Sequence, residues 1–286
     1  MHVAGVDVGS TATKAIVMDG NRRVVGKACG STGASVVGAA NRMFQEALKE
    51  AGLEEWEIEF VVGTGYGRYK VPFGHAQVTE ISCHARGANL LFPHTRTLVD
   101  IGGQDTKAIA VGERGDIRDF CMNDKCAAGT GRFLEACATV LGLTLDEIGD
   151  VSMRSSKPLR ITNVCTVFVE SEIVSHLAKG ERIEDILRGV HNAIAGRSVA
   201  LLRRVGIEPE VTFTGGVSRN LGMVASLKER LQCEINVSPM SQYMGALGAA
   251  LFAIERAENI PPGERKIEAA VAEARGGEEP GAHGGH

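Results

Sequence analysis

No apolar stretch in this sequence approaches the roughly 20 residues that a bilayer-spanning helix needs. Positive charge is not in excess either: 31 Lys and Arg stand against 35 Asp and Glu, a net charge of −4. That balance gives no electrostatic footing for nucleic acid or an anionic membrane, and neither is expected as a partner. The first residues, Met1 to Lys14, lack the basic region, apolar run and cleavage site of a secretory leader. The expected location is the cytoplasm. The seven cysteines are an odd count for a disulfide framework, and most are expected to pack as free thiols. Neither Val3–Lys14 nor Leu98–Lys107 carries the Gly-x4-Gly-Lys-Ser/Thr spacing of a P-loop or the Gly-x-Gly-x-x-Gly of a dinucleotide fold.

What is present is a globular composition with abundant glycine. Hydrophobic residues make up 44% of 286 residues, enough for one large core or two compact ones. The 36 glycines gather at the ends of short apolar strands. Val3–Thr11, Leu98–Lys107 and Val211–Val217 share this layout, and the first two continue into Asp-(Val/Ile)-Gly and a polar turn. The pair reads as a duplicated half-site. Ala15–Met18, the Asp19-Gly20 turn and Val24-Val25 predict a hairpin. Apolar spacing predicts helices over Val36–Ala51 ending at Gly52, Ala127–Leu141, Val167–Ala178 closing at Gly180, Val190–Val205, and Leu221–Leu231 after Asn220. From Pro261 the composition changes, and Gly276–His286 is expected to be disordered.

A turn that follows Asp-x-Gly can wrap backbone N–H groups around a phosphate, because glycine allows close approach. The aspartate can then hold Mg²⁺ through water, and Asp7 and Asp100 suit that task. Cys126 precedes the small Gly129-Thr130-Gly131 turn, and Cys165 stands before the helix read from Val167. Helix N-termini favour thiolates, the species that iron–sulfur clusters bind four at a time. Spacing alone leaves two plain buried thiols as the simpler reading, and Cys121 competes through a Cys-x4-Cys pair with Cys126. Cys137 falls on an apolar helix face, which suits core packing. His84 beside Cys83 is set aside as a metal pair, since neighbouring helix positions face apart.

At these residues the chain resembles the actin, Hsp70 and sugar-kinase ATPases. Their first phosphate turn looks like Asp7–Lys14, their second like Asp100–Asp105, and their adenosine turn like Thr214–Asn220. The resemblance implies an α/β fold of two related domains with ATP in the cleft between them. It places residues 1–95 plus 240–260 in the first domain and 96–239, with the cluster cysteines, in the second. It also implies nucleotide contacts from Gly9, Ser10, Thr11, Thr13, Lys14, Gly102, Gly103, Lys107, Gly129, Thr130, Gly131, Gly215, Gly216, Val217, Asn220, Gln242, Gly245 and Ala246. Asp7 would organise Mg²⁺ through water; Gln104 would orient water, with Asp100 or Asp105 as its polar partner or base.

A closer resemblance rests on Asp7–Lys14, Asp100–Lys107, NDKCAAGTGRFLE from Asn123 to Glu135, Val164–Ile173 and Thr214–Asn220. Together they look like the ATP-dependent activator (component A) of 2-hydroxyacyl-CoA dehydratases and the related ATPase subunits of benzoyl-CoA reductase. That resemblance implies a homodimer in which Cys126 and Cys165 of each chain hold one shared [4Fe–4S] cluster. It implies an electron from ferredoxin or flavodoxin, ATP hydrolysis to ADP, and a separate dehydratase or reductase as acceptor. Several kcal/mol from one hydrolysis is worth a few hundred millivolts for one electron, at about 59 mV per tenfold. The alternatives are a benzoyl-CoA reductase ATPase subunit, and a cluster-free small-molecule kinase of the same fold.

Overall fold

The computed structural model describes residues 1–162 and 165–259. The expectations for the tail from Pro261, disorder of Gly276–His286 included, lie outside the described residues. The chain builds two five-stranded sheets by one recipe. Strands β1 (His2–Val8), β2 (Ala12–Asp19) and β3 (Val24–Ser31) form an antiparallel meander. Then β4 (Ile58–Thr64) and β5 (Ala76–Gln77) add in parallel beyond β1, giving the order β3-β2-β1-β4-β5. The second sheet repeats this with β6 (Thr97–Ile101), β7 (Thr106–Val111) and β8 (Ile117–Asn123) as the meander. Here β9 (Val211–Thr214) and β10 (Ile235–Asn236) are the parallel additions, in the order β10-β9-β6-β7-β8. Central strands such as β1 and β6 are buried on both faces, which is why they read as continuous apolar runs rather than alternating ones.

Helix α1 (Val36–Ala51) covers the first meander with Ala40, Phe44, Ala47 and Leu48. Ser35 caps its start by accepting from the Gly38 N–H, and Gly52 ends it at φ 67°. Both bounds are those the sequence predicts. Helices α2 (Glu80–Leu91) and α8 (Met244–Glu258) share one apolar cluster with residues of both sheets, among them Val3, Val62, Leu98 and Ile109. Their contact is made by glycine. A Cβ on Gly248 would strike the Cys83 carbonyl, and one on Gly87 the Met244 carbonyl, so the backbones meet without side chains between them. Helices α3 (Gly131–Leu141), α4 (Leu145–Ser152), α5 (Thr166–Ala178), α6 (Ile183–Val205) and α7 (Leu221–Leu231) pack around Phe133, Leu187, Val190 and Phe213.

Three boundaries differ from expectation. The β2–β3 connection is wider than an Asp-Gly turn: Asp19 Oδ1 accepts from the N–H groups of Asn21 and Arg23, both at 2.9 Å. The helix expected from Ala127 starts at Gly131, because the Thr130 hydroxyl closes a turn on the Ala127 carbonyl at 2.7 Å. The helix read from Val190 begins a full two turns earlier, at Ile183.

Candidate functional site

Asp7 and Lys14 are cross-strand neighbours on β1 and β2, with Lys14 Nζ 3.6 Å from Asp7 Oδ2. Asp100 and Lys107 occupy the same places on β6 and β7, 3.4 Å apart. On the parallel side Thr64 stands beside Asp7, and Thr214 beside Asp100. A glycine follows each threonine in the left-handed region, Gly65 at φ 86° and Gly215 at φ 87°. A Cβ on Gly65 would collide with Asp7 Oδ1, and one on Gly215 would sit 2.7 Å from Asp100 Oδ1. Only glycine lets the chain pass a carboxylate so closely. The duplicated half-site is therefore real, and it is larger than the two turns that suggest it in the sequence: Thr64-Gly65 completes the first copy.

The two candidate phosphate turns close alike. Gly9 N–H donates to the Ala12 carbonyl at 3.2 Å and Gly102 N–H to the Asp105 carbonyl at 3.0 Å. Their tips meet, since a Cβ on Gly103 would overlap Thr11. Ser10, Thr11 and Gln104 are exposed there. Thr13 is fully buried and shares its hydroxyl with Thr32 at 2.9 Å, so it holds the turn rather than facing the cleft. The third turn is anchored by Gly215 N–H on the Ser241 carbonyl at 3.1 Å, which brings the Gln242 segment beside it. Gly216 is exposed, Val217 is buried, and Asn220 caps α7 by accepting from Met223 N–H at 2.9 Å. On α8, a Cβ at Gly245 would lie 2.8 Å from Asp7 Oδ2, and Ala246 is buried against β1.

Burial alone would raise the Asp100 carboxyl. His84, Lys107 and the Thr214 hydroxyl outweigh it and hold the group below its ordinary range. Lys107 is likewise buried, yet Asp100 and Asp105, the latter at 2.7 Å, keep its ammonium charged. His84 belongs to this site, although its position next to Cys83 in the sequence gives no sign of it. Its ring is buried, with Nδ1 3.2 Å from Asp100 Oδ1. Cys83, its neighbour, faces the core, and burial pushes its thiol up to about 12. The fit to a nucleotide and Mg²⁺ rests on these features: paired buried acids, lysines set across from them, and glycine cradles that a methyl would fill.

The cysteine segment begins where β8 ends. Asn123 Nδ2 donates to the carbonyls of Cys126 at 2.9 Å and Ala128 at 3.3 Å, and Thr106 Oγ1 donates to that of Gly129 at 2.8 Å. Then Gly131 N–H and Arg132 N–H donate to the carbonyls of Gly102 and Gly103, both at 2.9 Å. The turn that follows Cys126 is thus tied by backbone to the Gly102-Gly103 turn. Cys126 stands before this turn and not at a helix start, a correction to the sequence-based expectation. Cys165 is the N-cap residue of α5. Both thiols are free and exposed, whereas Cys137 is buried and its thiol is pushed up to about 12 by burial. Cys121 lies half-buried on β8. Next to Cys165, Val167 and Phe168 are 71% and 61% exposed, an apolar surface left open.

The profile of the BadF/BadG/BcrA/BcrD ATPase family matches residues 4–253. The chain belongs to that family. The (R)-2-hydroxyglutaryl-CoA dehydratase activating ATPase of Acidaminococcus fermentans is 43% identical over 258 residues, spanning 90% of this chain and 98% of that one. A solved activator of the 2-hydroxyisocaproyl-CoA dehydratase from Clostridium difficile, with bound ADPNP, is 40% identical. It matches with a TM-score of 0.88 over 94% of this chain and 100% of its own. One of the subunits of benzoyl-CoA reductase in Thauera aromatica is 34% identical over 77% of this chain and 80% of that one. A glucokinase of the ROK family from Streptomyces griseus, 14% identical, has a TM-score of 0.59 over 89% of this chain and 100% of its own, and shares the fold alone. The chain thus carries the actin, Hsp70 and sugar-kinase fold, as its two matching sheets suggest. Among the described residues no helix is long and apolar enough to cross a membrane.

Proposed function

We propose that this chain is an ATP-hydrolysing activator that passes one low-potential electron to a 2-hydroxyacyl-CoA dehydratase. The observation that carries the reading is the backbone tie between the turn after Cys126 and the Gly102-Gly103 turn. An ATPase with no second task has little use for an exposed thiol joined to its phosphate turn. Cys126 and Cys165 would hold a [4Fe–4S] cluster, and one chain supplies two of the four thiolates needed. A twofold pair of chains supplies the rest. The open apolar surface at Val167 and Phe168 beside Cys165 suits such a homodimer contact. The cluster, when bound, supplies a one-electron carrier whose potential follows solvent exposure and hydrogen bonding at its sulfurs.

The chain's own residues divide the remaining work. Asp7 would hold Mg²⁺ through water, while Lys14 and Lys107 balance the phosphate charge as it develops. The amides of the Gly9 and Gly102 turns would cradle phosphate oxygens, and Gln104 at the exposed tip would orient the attacking water. Asp105, paired with Lys107, steadies that turn. Loss of the γ-phosphate would let the Gly102-Gly103 turn shift, and Gly131 and Arg132 would carry the shift toward Cys126. Ferredoxin or flavodoxin is the proposed donor, and the cytoplasm the proposed location.

The test is an anaerobic preparation with iron and sulfide measured per pair of chains. Reduced protein is then mixed with a 2-hydroxyacyl-CoA dehydratase and either ATP or a non-hydrolysable analogue. Dehydration is expected with ATP only, and with about four irons per pair of chains. Equal activation by the analogue, or by iron-free protein, would defeat the reading. An iron-free protein that phosphorylates a small molecule would favour the kinase reading instead.

A further inference from the structure

Asp7 and Asp100 hold matching places, yet their surroundings differ, and His84 makes the difference. Thr214 Oγ1 donates to Asp100 Oδ1 at 2.9 Å, whereas the buried Thr64 Oγ1 makes no such bond to Asp7. The imidazole adds a second contact to the same oxygen. His84 Nδ1 stands 3.2 Å from Asp100 Oδ1 and 3.1 Å from Thr214 Oγ1. The threonine's single hydroxyl proton is committed to the carboxylate, so Nδ1 has to be the donor. Nε2 then looks toward α8, where a Cβ on Gly245 would lie 3.0 Å from it.

A carboxylate turns easily about its last torsion, which is broad and weakly restrained. Two donors on one oxygen remove that freedom. Asp100 Oδ1 has both, which leaves Oδ2 to face Lys107. Among the described residues Asp7 has only the looser contact with Lys14, at 3.6 Å. The ring that imposes this asymmetry is carried on α2, touches the second sheet, and looks onto the glycine end of α8.

We propose that His84 is a positioning residue of the ATPase site, locking Asp100 in one orientation while Asp7 stays free to follow a metal-bound water. The inference rests on the ATPase reading and adds to it a division of labour between two otherwise equivalent acids. Oriented groups are worth much of a barrier, and small misplacements cost large factors.

Steady-state ATP hydrolysis by the full chain with Mg²⁺ tests it, with thermal unfolding followed for each variant. His84→Leu is expected to lower kcat about tenfold or more while KM for ATP stays within about threefold. His84→Asn, whose amide N–H can reach the position of Nδ1, is expected to recover most of the loss. Thr214→Val removes the other donor, so the His84→Leu/Thr214→Val pair should lose less than the product of the single losses. A His84→Leu protein with wild-type kcat overturns the proposal. So does His84→Asn performing no better than His84→Leu when both melt like wild type. If His84→Leu does not fold, His84→Asn and Thr214→Val decide: an Asn variant well below wild type, or a Thr214→Val variant with wild-type kcat, sinks it. A wild-type chain that hydrolyses no ATP removes the ATPase reading and this inference together, whereas active wild type with unaltered variants removes this inference alone.

Discussion

Lys107 stands across from Asp100 on β6 and β7 in the register that sets Lys14 across from Asp7 on β1 and β2. The equivalence ends at burial. Lys107 is 4% exposed and shared by two carboxylates, while Lys14 is 14% exposed and has one at 3.6 Å.

That contrast separates stability from activity. Lys107→Met removes one member of a buried charged set and should cost about 3–5 kcal/mol of folding stability. Lys14→Met should cost about 1 kcal/mol or less, because its charge keeps some water. Both should depress ATP hydrolysis. Urea midpoints at a common slope measure the first effect, and equal midpoint shifts for the two variants would contradict the burial argument.

For the cysteines, Cys126→Ser and Cys165→Ser should each abolish iron retention and visible absorption in anaerobic preparations. Cys121→Ser should leave both intact, since that residue lies on β8 before the Asn123 clamp. Loss of iron in Cys121→Ser with retention in Cys126→Ser would reassign the ligand set.

Helix α5 is apolar around much of its circumference, yet Val167, Phe168 and Val174 are exposed at 71%, 61% and 54%. A helix of that kind is ordinarily covered. Phe168→Asp and Val174→Asp should shift the protein from dimer to monomer in sedimentation velocity and release iron in parallel. A wild-type protein that sediments as a monomer with full iron would refute the shared site.

Acid should weaken the packing of α6 against α7 through His191. Its ring is fully buried between α6 and α7, where a backbone contact with Leu187 is too weak to offset the loss of water. Burial, with the Arg188 guanidinium close by, takes its pKa down to about 3. An unfolded histidine titrates near 6.5, so below that pH the unfolded chain gains a proton the folded one refuses. Stability therefore falls as pH drops from about 7 to 5, by up to about 2 kcal/mol from this residue. Asp100 acts elsewhere: a depressed carboxyl loses its contribution only beneath its unfolded value, near pH 4. His191→Leu should flatten the pH 5–7 slope of denaturation midpoints, leaving the smaller share due to His75, whose pKa burial also lowers. An unchanged slope would acquit His191.

Much of this is legible in the sequence, and the gaps have physical causes. Helices α1 and α7 have the bounds that apolar spacing and the Ser35, Gly52 and Asn220 caps dictate. The Asp-x-Gly turns are readable because glycine tolerates the close approach of the far side of the turn, the Ala12 carbonyl at Gly9 and the Asp105 carboxylate at Gly102. Thr64-Gly65 escapes notice as the partner of Thr214-Gly215, although both follow an apolar strand and carry the same dipeptide. His84 escapes because its partners, Asp100 and Thr214, lie 16 and 130 residues away in sequence. Its signal is indirect: glycines at 87 and 248 mark two helices whose backbones touch, and a polar residue beside such a contact has to find a partner. The early start expected for α3 follows from the helix preference of Ala127 and Ala128. Gly129 at φ 95° overrides it.

The two bonds from Gly131 and Arg132 to the Gly102-Gly103 carbonyls are made wholly by peptide groups. Exchanging side chains along that path leaves the wiring intact, so a mutational scan would score these positions by bulk and register nothing about transmission. Amide-to-ester replacement at residue 131 or 132, which deletes one N–H and little else, is the chemistry that would cut the line.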